Sequence, residues 1–294
     1  MANIKLGWQM NGLKDMEYDK VLQWASKIGI ESVELQAWPN DPFCNVDEVI
    51  EGQKEKVLRP LEEYGIEPAT LVYCVNLLAP NEKLREEYHK HFKKVVDAAD
   101  ILNVPIVSCF VGSSGMNKLW PEMAAFEECF LPLLDYAEQK GIKLAIENCP
   151  SGGNNIANNP KMWETLIFEA AADYDNLGLE FDPSHLVWLH VDWAKALDHF
   201  LEKGKIFCCH AKDTKIDKEA LGWEGIMNLN PTWKKAKMPG MGDVDWKSFM
   251  KHLKKHDFEG SVLIEHEDPD YRGKKYQKGV ELGFRHLKNS LENV

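Results

Sequence analysis

The sequence predicts an α/β fold, an eight-stranded (β/α)8 TIM barrel formed by one domain over residues 1–294. Short apolar runs alternate with amphipathic helical stretches along the whole chain, and this alternation indicates parallel strand pairing. Eight strand–helix units in a chain of this length are typical of a barrel. A doubly wound open sheet is the alternative, but no glycine-rich phosphate-binding fingerprint follows the first strand.

Four strand–helix units are expected in the first half of the chain. Their strands are the apolar runs at residues 4–8, 32–36, 67–73 and 105–111. Each run precedes a stretch with apolar residues at helical spacing. These helices are expected at residues 18–28, 46–64, 82–102 and 122–140, and a glycine, the usual end signal, follows the second and the fourth.

The second half repeats the pattern with one interruption. Its strands are expected at residues 143–147, 177–182, 206–210 and 260–265, and its helices at residues 160–172, 192–203, 246–256 and 275–291. The long stretch 214–245, which carries Trp223 and Trp233, follows the seventh strand. We interpret this stretch as an elaborated loop over the barrel mouth.

Composition and charge restrict the possible partners. Hydrophobic residues make up 44% and charged residues 28% of the chain, which is typical of a globular protein. The formal net charge of −12 disfavours nucleic acid or an anionic membrane as a partner. The sequence shows neither an apolar run of ~18 residues nor a signal-peptide pattern. Seven cysteines without a C-x-x-C pair indicate free thiols, and we expect a cytoplasmic protein.

Side chains that can bind a metal end four successive predicted strands. These side chains are Glu147, Asp182, His210 and Glu265. The C-terminal strand ends of a barrel converge on one site, where three carboxylates repel one another unless a cation joins them. We therefore expect one divalent metal ion rather than a metal-free polar rim. An oxygen-rich set with one nitrogen favours Mn²⁺, with Mg²⁺, Co²⁺, Zn²⁺ or Fe²⁺ as alternatives.

The same residues carry a family resemblance. The segments concerned are Ile-Glu-Asn at 146–148, Phe-Asp-Pro-Ser-His at 181–185, His-Ala-Lys-Asp at 210–213, Pro-Gly-Met-Gly-Asp-Val-Asp-Trp at 239–246 and Ile-Glu-His-Glu-Asp at 264–268. On these segments the chain resembles the xylose-isomerase-like barrel superfamily, the sugar phosphate isomerase/epimerase group, over nearly its whole length. The resemblance implies that Glu147, Asp182, His210 and Glu265 bind one metal ion. It also implies His185 as a substrate contact or, in multi-metal members, a ligand.

The resemblance further implies an isomerase or epimerase that acts on a keto-sugar or a related polyol. The metal would act as a Lewis acid that stabilises an enediolate. Glu147 and Glu265 would lie on opposite faces of the substrate, one to abstract the proton next to the carbonyl and the other to return it. The chain shows no clear phosphate clamp, so a phosphorylated substrate is not implied.

Further candidates come from position along the strands. Lys212 shares a face with the seventh-strand histidine and is expected either to polarise a substrate oxygen or to be a salt-bridged rim residue. Trp8 and Trp38 are expected to stack on a sugar, with ordinary packing as the alternative. Glu180 lies one step deeper than the sixth-strand aspartate, and we expect it in a barrel-interior ion pair, with Lys143 as a candidate partner.

Two departures from the family pattern concern the substrate. Ketose 3-epimerases of this group carry a substrate-binding Glu six residues after the first ligand and an Arg six residues after the ligand His. Gly153 and Ile216 stand at these positions. These departures argue against a simple ketose 3-epimerase. The long loop with two tryptophans indicates a bulkier or modified substrate, such as a keto-sugar or glycoside derivative.

Three other functions are possible on the same barrel. A keto-polyol dehydratase of the inosose-dehydratase kind would use His185 or Lys212 as a general acid. A DNA-repair enzyme of the endonuclease IV type would need further histidines, and before His185 the chain has only His89 and His91. A binding barrel without catalysis is the third. In every enzymatic case but the nuclease the partner is a small sugar or polyol, and we expect a homodimer or homotetramer.

Overall fold

The expected barrel is present in the computed structural model, which describes residues 2–151 and 154–294. Eight parallel strands close into a barrel in the order β1-β10-β7-β6-β5-β4-β3-β2. The barrel strands are β1 Asn3–Gln9, β2 Ser32–Gln36, β3 Glu67–Tyr73, β4 Ile106–Cys109, β5 Lys143–Glu147, β6 Leu177–Phe181, β7 Ile206–Ala211 and β10 Glu259–Ile264. A separate antiparallel pair consists of β8 Asp213–Ile216 and β9 Lys234–Lys237.

Closure depends on β1, which pairs with β2 on one side and with β10 on the other. Trp8 therefore lies opposite both Val33 and Ile264. The apolar side chains on the two faces of these strands are buried, because one face fills the barrel and the other meets the helices. The C-terminal ends of all eight strands consequently surround one mouth.

The helices lie in the connections and after the last strand. They are α1 Tyr18–Ile28, α2 Val46–Glu48, α3 Glu55–Tyr64, α4 Glu82–Leu102, α5 Leu119–Cys129, α6 Leu131–Gln139, α7 Pro160–Glu164, α8 Pro183–Trp188, α9 Trp193–Glu202, α10 Lys218–Glu224, α11 Trp246–Lys255 and α12 Tyr276–Glu292. Short π-helical turns cover Val49–Gln53 and Thr165–Ala170, and 3-10 turns cover Pro269–Tyr271 and Gly273–Lys275. Within the described ranges, no helix is both long and apolar enough to span a membrane.

Two helices expected to be continuous are interrupted. The stretch expected at 46–64 breaks at Gly52, whose φ of 93° is incompatible with an α-helix. The stretch expected at 122–140 divides at Phe130 into α5 and α6. Pro132 lies in the first turn of α6, where its missing N–H cannot continue the hydrogen bonds of α5.

The stretch expected as an elaborated loop after the seventh strand is partly regular. We call residues 213–237 the mouth hairpin, because β8 and β9 pair there on either side of α10. The sequence of β9, Lys-Lys-Ala-Lys, has no apolar alternation and therefore gives no strand signal. The tip of the hairpin is apolar and open to solvent, with Trp223 92% and Leu229 102% exposed.

Candidate metal centre

The four residues predicted as metal ligands come together at the barrel mouth. Glu147 ends β5, Asp182 follows β6, His210 lies in β7 and Glu265 follows β10. Each offers one ligand atom, and these four atoms all lie within 4.8 Å of one another. All four residues are buried. We call them the four-residue set.

Asp182 is aimed by the backbone around it. Its Oδ1 atom accepts a hydrogen bond from the N–H of Ser184 at 2.8 Å and so caps α8, a helix that the sequence pattern missed. The Asn148 side chain bonds both the N–H and the carbonyl of Asp182, at 2.8 and 2.9 Å. These contacts fix the carboxylate and leave Oδ2 to face the other members of the set.

His210 is held from behind by two buried carboxyl groups. Its Nε2 atom lies 3.0 Å from Glu34 Oε1 and 3.2 Å from Glu180 Oε1. Glu34 also accepts a hydrogen bond from Gln9 Nε2 at 2.7 Å and one from the Thr70 hydroxyl. A proton on Nε2 that faces Glu34 leaves Nδ1 as the free ligand atom of a neutral imidazole.

The pKa values of the two carboxyl groups beside His210, those of Glu34 and Glu180, are shifted in opposite directions. Burial would raise the pKa of Glu34, but the neighbouring His210 imidazole outweighs it and the pKa is lowered. Burial and the adjacent Glu34 raise the pKa of Glu180 well above its usual value. The surroundings therefore favour the ionised form of Glu34 and the neutral form of Glu180.

The expected partner of Glu180 is wrong. Glu180 does lie in the barrel interior, but its contacts are His210 and the Cys208 thiol, at 3.2 and 3.3 Å. Lys143 lies over the Phe207 ring, 4.8 Å from its centroid. Lys143 begins β5, so its ammonium group lies at the end of the barrel opposite the mouth. Glu34 was missed altogether, although a carboxylate in the apolar second strand was a signal.

The donor atoms of the four-residue set fit a divalent cation. Glu147 Oε1, Asp182 Oδ2 and His210 Nδ1 are buried and form no hydrogen bond within the described part of the chain. A buried polar atom without a hydrogen bond costs roughly 1–3 kcal/mol. The carboxylates also raise the pKa of His210 well above its usual value against the effect of burial. The site thus demands positive charge, which a proton or a metal ion can supply.

The two glutamates of the set are perturbed in opposite directions. Burial would raise the pKa of Glu147, but the His185 and His210 imidazoles and the Lys212 ammonium group lower it well below its usual range. Burial raises the pKa of Glu265 to about 7, although Lys212 opposes the shift. At neutral pH Glu147 is ionised, whereas Glu265 is near the midpoint of its titration.

Lys212 is buried and tied to the set. Its Nζ atom donates to Glu265 Oε2 at 2.6 Å and lies 3.3 Å from Asp182 Oδ2 and 3.1 Å from Glu267 Oε2. Burial lowers the pKa of Lys212, but these carboxylates raise it well above its usual value. The surroundings therefore favour the charged ammonium form, and Lys212 contacts the set instead of lying at an exposed rim.

His185 lies beside the set on α8. Its Nε2 atom is 3.4 Å from Glu147 Oε1 and 3.3 Å from Asp182 Oδ2. Trp188 Nε1 lies 3.3 Å from the other ring nitrogen, Nδ1. Burial and Lys212 lower the pKa of His185, but Asp182, the Cys149 thiol and Glu147 raise it to about 10. Nε2 therefore carries a proton that faces the set. Glu147, Cys149 and His185 form a second, overlapping group of candidate ligands.

The two tryptophans expected to stack on a sugar differ in position. Trp8 is fully buried, and its ring meets Trp24 and Tyr276 edge to face, at centroid distances of 5.6 and 6.1 Å. This environment fits the packing alternative for Trp8. Trp38 is 38% exposed and meets Tyr73 edge to face at 5.1 Å, so its ring is accessible. A substrate contact by either ring stays a prediction.

Asp213 explains the glycine-rich segment at 239–246. Its carboxylate accepts hydrogen bonds from the backbone N–H groups of Thr214, Gly240, Gly242 and Val244 and from Trp246 Nε1. A Cβ atom on Gly242 would lie 2.1 Å from Asp213 Oδ1, so this approach requires glycine.

Two positions depart from the ketose 3-epimerase pattern, and one of them, Ile216, is the last residue of β8. Gly153 lies outside the described residues.

A cavity of about 580 Å³ opens beside the set. Its walls include His185, Lys212 and Glu267 on the barrel side and residues 226–236 of the mouth hairpin on the other. A larger cavity of about 880 Å³ lies at the opposite end of the barrel, where Lys5 and Lys143 line it. Neither cavity is lined by a member of the four-residue set, but His185 and Lys212, which contact the set, line the cavity at the mouth. We therefore expect the chemistry at the mouth.

Comparison with known families agrees with this geometry. The family described as xylose isomerase-like TIM barrel matches residues 22–289 of this chain. The chain belongs to the xylose isomerase-like TIM barrel family. The strand ends that carry the four-residue set all fall within the matched region. The chain is therefore similar over most of its length to enzymes of the sugar isomerase and epimerase group.

Two curated relatives cover nearly the whole chain. The uncharacterized protein YfiH of Bacillus subtilis (strain 168) is 26% identical, and the match covers 90% of this chain and 93% of YfiH. The inosose isomerase of Halalkalibacterium halodurans is 24% identical, and the match covers 97% of this chain and 94% of the relative. Similarity at low identity therefore extends along nearly the whole chain.

Solved structures share the fold at low sequence identity. The 3-keto-D-glucoside 4-epimerase YcjR from E. coli, in its apo form, has a TM-score of 0.74 at 14% identity, with 98% of this chain and 100% of YcjR covered. The IOLI protein with a bound zinc atom has a TM-score of 0.70 at 22% identity, with 98% and 97% covered. At such identities the likeness shows the fold alone.

Proposed function

We propose that this protein is a divalent-metal-dependent sugar isomerase or epimerase that moves a proton next to the carbonyl of a keto-sugar or related polyol. One observation carries the proposal: four strand ends bring ligand atoms of Glu147, Asp182, His210 and Glu265 to within 4.8 Å of one another, so two glutamates belong to one buried set. Neighbouring carboxyl groups whose environments separate their pKa values are typical of an acid–base pair. The inosose isomerase and the 3-keto-D-glucoside 4-epimerase among the similar proteins agree with this class.

Glu147, Asp182, His210 and Glu265 would hold the metal. When bound, the ion supplies a Lewis acid that polarises a substrate carbonyl. Mn²⁺ remains the favoured ion for three oxygens and one nitrogen. Zinc is an alternative, since a structural relative was solved with a zinc atom.

Proton transfer is assigned to the two glutamates. Glu147 is ionised at neutral pH and accepts the proton from the carbon next to the carbonyl. Glu265, the second glutamate of the set, would return a proton taken up from solvent to the substrate. Lys212 holds Glu265 Oε2 at 2.6 Å, and its fixed charge stabilises negative charge that develops on the substrate.

A dehydratase is the second candidate, and one observation favours it. His185 Nε2 faces the set with a proton, because the pKa of His185 is raised to about 10. A proton on Nε2 is placed to pass to a departing hydroxyl group next to the carbanion. The two reactions share the first proton abstraction and differ only in whether water leaves. The proposed partner in both is a small sugar or polyol, and a homodimer or homotetramer stays a prediction.

The test is deuterium exchange in D₂O with a series of keto-sugars and keto-polyols on the Mn²⁺-loaded protein. We expect one deuterium at the carbon next to the carbonyl, with an isomeric product for the isomerase and a product lighter by one water for the dehydratase. Glu147→Gln and Glu265→Gln are each expected to reduce exchange by a factor of about 10³ or more. Glu259→Gln, at the exposed far end of the strand that leads to Glu265, is the matched control.

Full exchange in either active-site variant contradicts the two-glutamate assignment. No exchange by the wild-type protein on any substrate of the series, with metal bound, contradicts the proposed function.

A further inference from the structure

The cavity at the mouth lies beside the four-residue set and is lined by none of its four members. Its volume of about 580 Å³ is in the range of roughly 300–1,000 Å³ of sites for small organic ligands. It begins at His185 and Lys212, which border the set, and reaches Met227 and Leu229 at the tip of the mouth hairpin. A molecule that reacts at the set can therefore extend into this cavity.

The walls of the cavity are aromatic where they leave the set. Trp188 lies on α8 and approaches His185 Nδ1 with its N–H group at 3.3 Å. Trp233, from the mouth hairpin, meets Trp188 edge to face at a centroid distance of 6.4 Å. This contact joins the hairpin to the helix that carries the candidate substrate contact.

Two hydrogen-bond donors in these walls form no hydrogen bond with a described residue. The indole N–H of Trp233 is buried and forms no hydrogen bond among the described residues. Lys234 lies 3.2 Å over the ring centroid of Trp188 and forms no ion pair with a carboxylate in the described ranges. A buried donor left unpaired is costly, and a ligand oxygen or an ordered water relieves the cost.

The lining specifies a ring that is apolar on its faces and rich in acceptor oxygens at its edge. A purely hydrocarbon ring would leave the donors of Trp233 and Lys234 unpaired. A sugar ring places C–H groups against the apolar side chains of Met227 and Leu229 and hydroxyl oxygens toward the donors. An aromatic aglycone satisfies only the apolar part of the lining.

We propose that this cavity is a binding subsite for a second sugar ring, joined by a glycosidic bond to the ring that reacts at the four-residue set. The substrate class is then a keto-glycoside of two sugar rings rather than a free keto-monosaccharide. Trp233 and Lys234 determine this specificity, because they donate to the hydroxyl oxygens of the second ring. The identity of the reacting ring rests on the proposed function.

Isothermal titration of the full-length, Mn²⁺-loaded protein tests the subsite directly. The probes are methyl α- and β-glucoside, phenyl β-glucoside, and the disaccharides cellobiose, maltose and trehalose. We expect at least one disaccharide to bind about tenfold or more tightly than either methyl glucoside. Trp233→Phe and Lys234→Met are each expected to weaken that disaccharide about fivefold, the loss of one hydrogen bond, without changing methyl glucoside binding.

Trp223→Phe is the matched control, since Trp223 lies on the same hairpin, is 92% exposed and does not line the cavity. Its binding profile should equal that of the wild type. Thermal melting of each variant verifies that the chain is folded. If Trp233→Phe disturbs the fold at its buried position, Lys234→Met still tests the subsite, because the Lys234 side chain is only half-buried.

Three results overturn the proposal: disaccharides that bind no better than methyl glucosides, a disaccharide preference that survives in the Trp233→Phe, Lys234→Met double variant, or a preference for phenyl glucoside alone. Deuterium exchange on keto-sugars, measured on the same preparation, separates the two proposals. Exchange without a disaccharide preference overturns only the subsite. A disaccharide preference without exchange on any keto-substrate overturns only the proposed function.

Discussion

Replacement of Glu34 by glutamine tests how the protein fixes the ligand atom of His210. Glu34 is fully buried and accepts from His210 Nε2 at 3.0 Å and from Gln9 Nε2 at 2.7 Å. Glutamine keeps the size of the side chain but removes the charge and turns one acceptor into a donor. The N–H group of His210 then loses a charge-assisted hydrogen bond, worth roughly 1.5–3 kcal/mol.

That loss should weaken metal binding, because the imidazole is no longer held with Nδ1 toward the set. Changes in residues that orient metal ligands typically cost about 10- to 100-fold in affinity, and we expect this range for Glu34→Gln. The assay is Mn²⁺ titration by calorimetry, with circular dichroism to confirm folding. Glu180→Gln is the matched control: the pKa of Glu180 is raised by burial and by Glu34, so a neutral amide resembles its neutral acid.

We expect less than about a threefold change in Mn²⁺ affinity for Glu180→Gln. Equal Mn²⁺ affinities for Glu34→Gln and the wild type would refute the orienting role of Glu34. Equal losses in the two variants would refute the assignment of charge to Glu34 alone.

Three further predictions concern protonation and packing. The pKa of Glu265 is raised to about 7, and a bound metal ion displaces the proton from this carboxyl group. The affinity for Mn²⁺, measured by calorimetric titration, should therefore fall by up to about tenfold per pH unit below 7. An affinity that does not change with pH contradicts this prediction. Gly242→Ala should lower the free energy of unfolding by roughly 1–3 kcal/mol, since the added Cβ would lie 2.1 Å from Asp213 Oδ1. Gly222→Ala, in the exposed part of α10 with open space around it, should leave the free energy of unfolding equal or raise it. Asp213→Asn should lower the free energy of unfolding in urea by roughly 1.5–3 kcal/mol, because the buried hydrogen bonds of Asp213 are weakened. Asp245→Asn should be nearly neutral, since asparagine caps the N-terminus of α11 as well as aspartate does. Equal effects of the two changes would contradict the anchoring role of Asp213.

The sequence predicted the helices and strands best where the spacing of apolar residues, or a residue typical of a helix end, determines the local structure. Helices α1 and α4 and strands β2, β3 and β5 begin and end where the pattern places them. The four-residue set could be predicted because strand ends in a barrel share one mouth, so position along the chain implies proximity. No such rule links residues that meet inside the barrel.

The contacts that the sequence did not predict are those between residues distant in sequence, for which no such rule exists. Glu34 and Glu180 meet His210 through the barrel interior, from strands that are far apart in sequence, and Lys143 was paired with Glu180 without regard to the end of the barrel at which it lies. The mouth hairpin depends on pairing of the lysine-rich β9 with β8, which no local periodicity reveals. Its cavity, and the unpaired donors in it, exist only once the hairpin is folded over the mouth.

Anomalous diffraction at the manganese edge, on crystals grown with Mn²⁺, tests the central claim most directly. We expect one strong peak per chain, in contact with carboxylate oxygens of Glu147, Asp182 and Glu265 and with Nδ1 of His210. A peak bound by Cys149 and His185 instead, or bound through His210 Nε2, would contradict the proposed ligand set. The absence of any peak at the barrel mouth would contradict the metal centre itself.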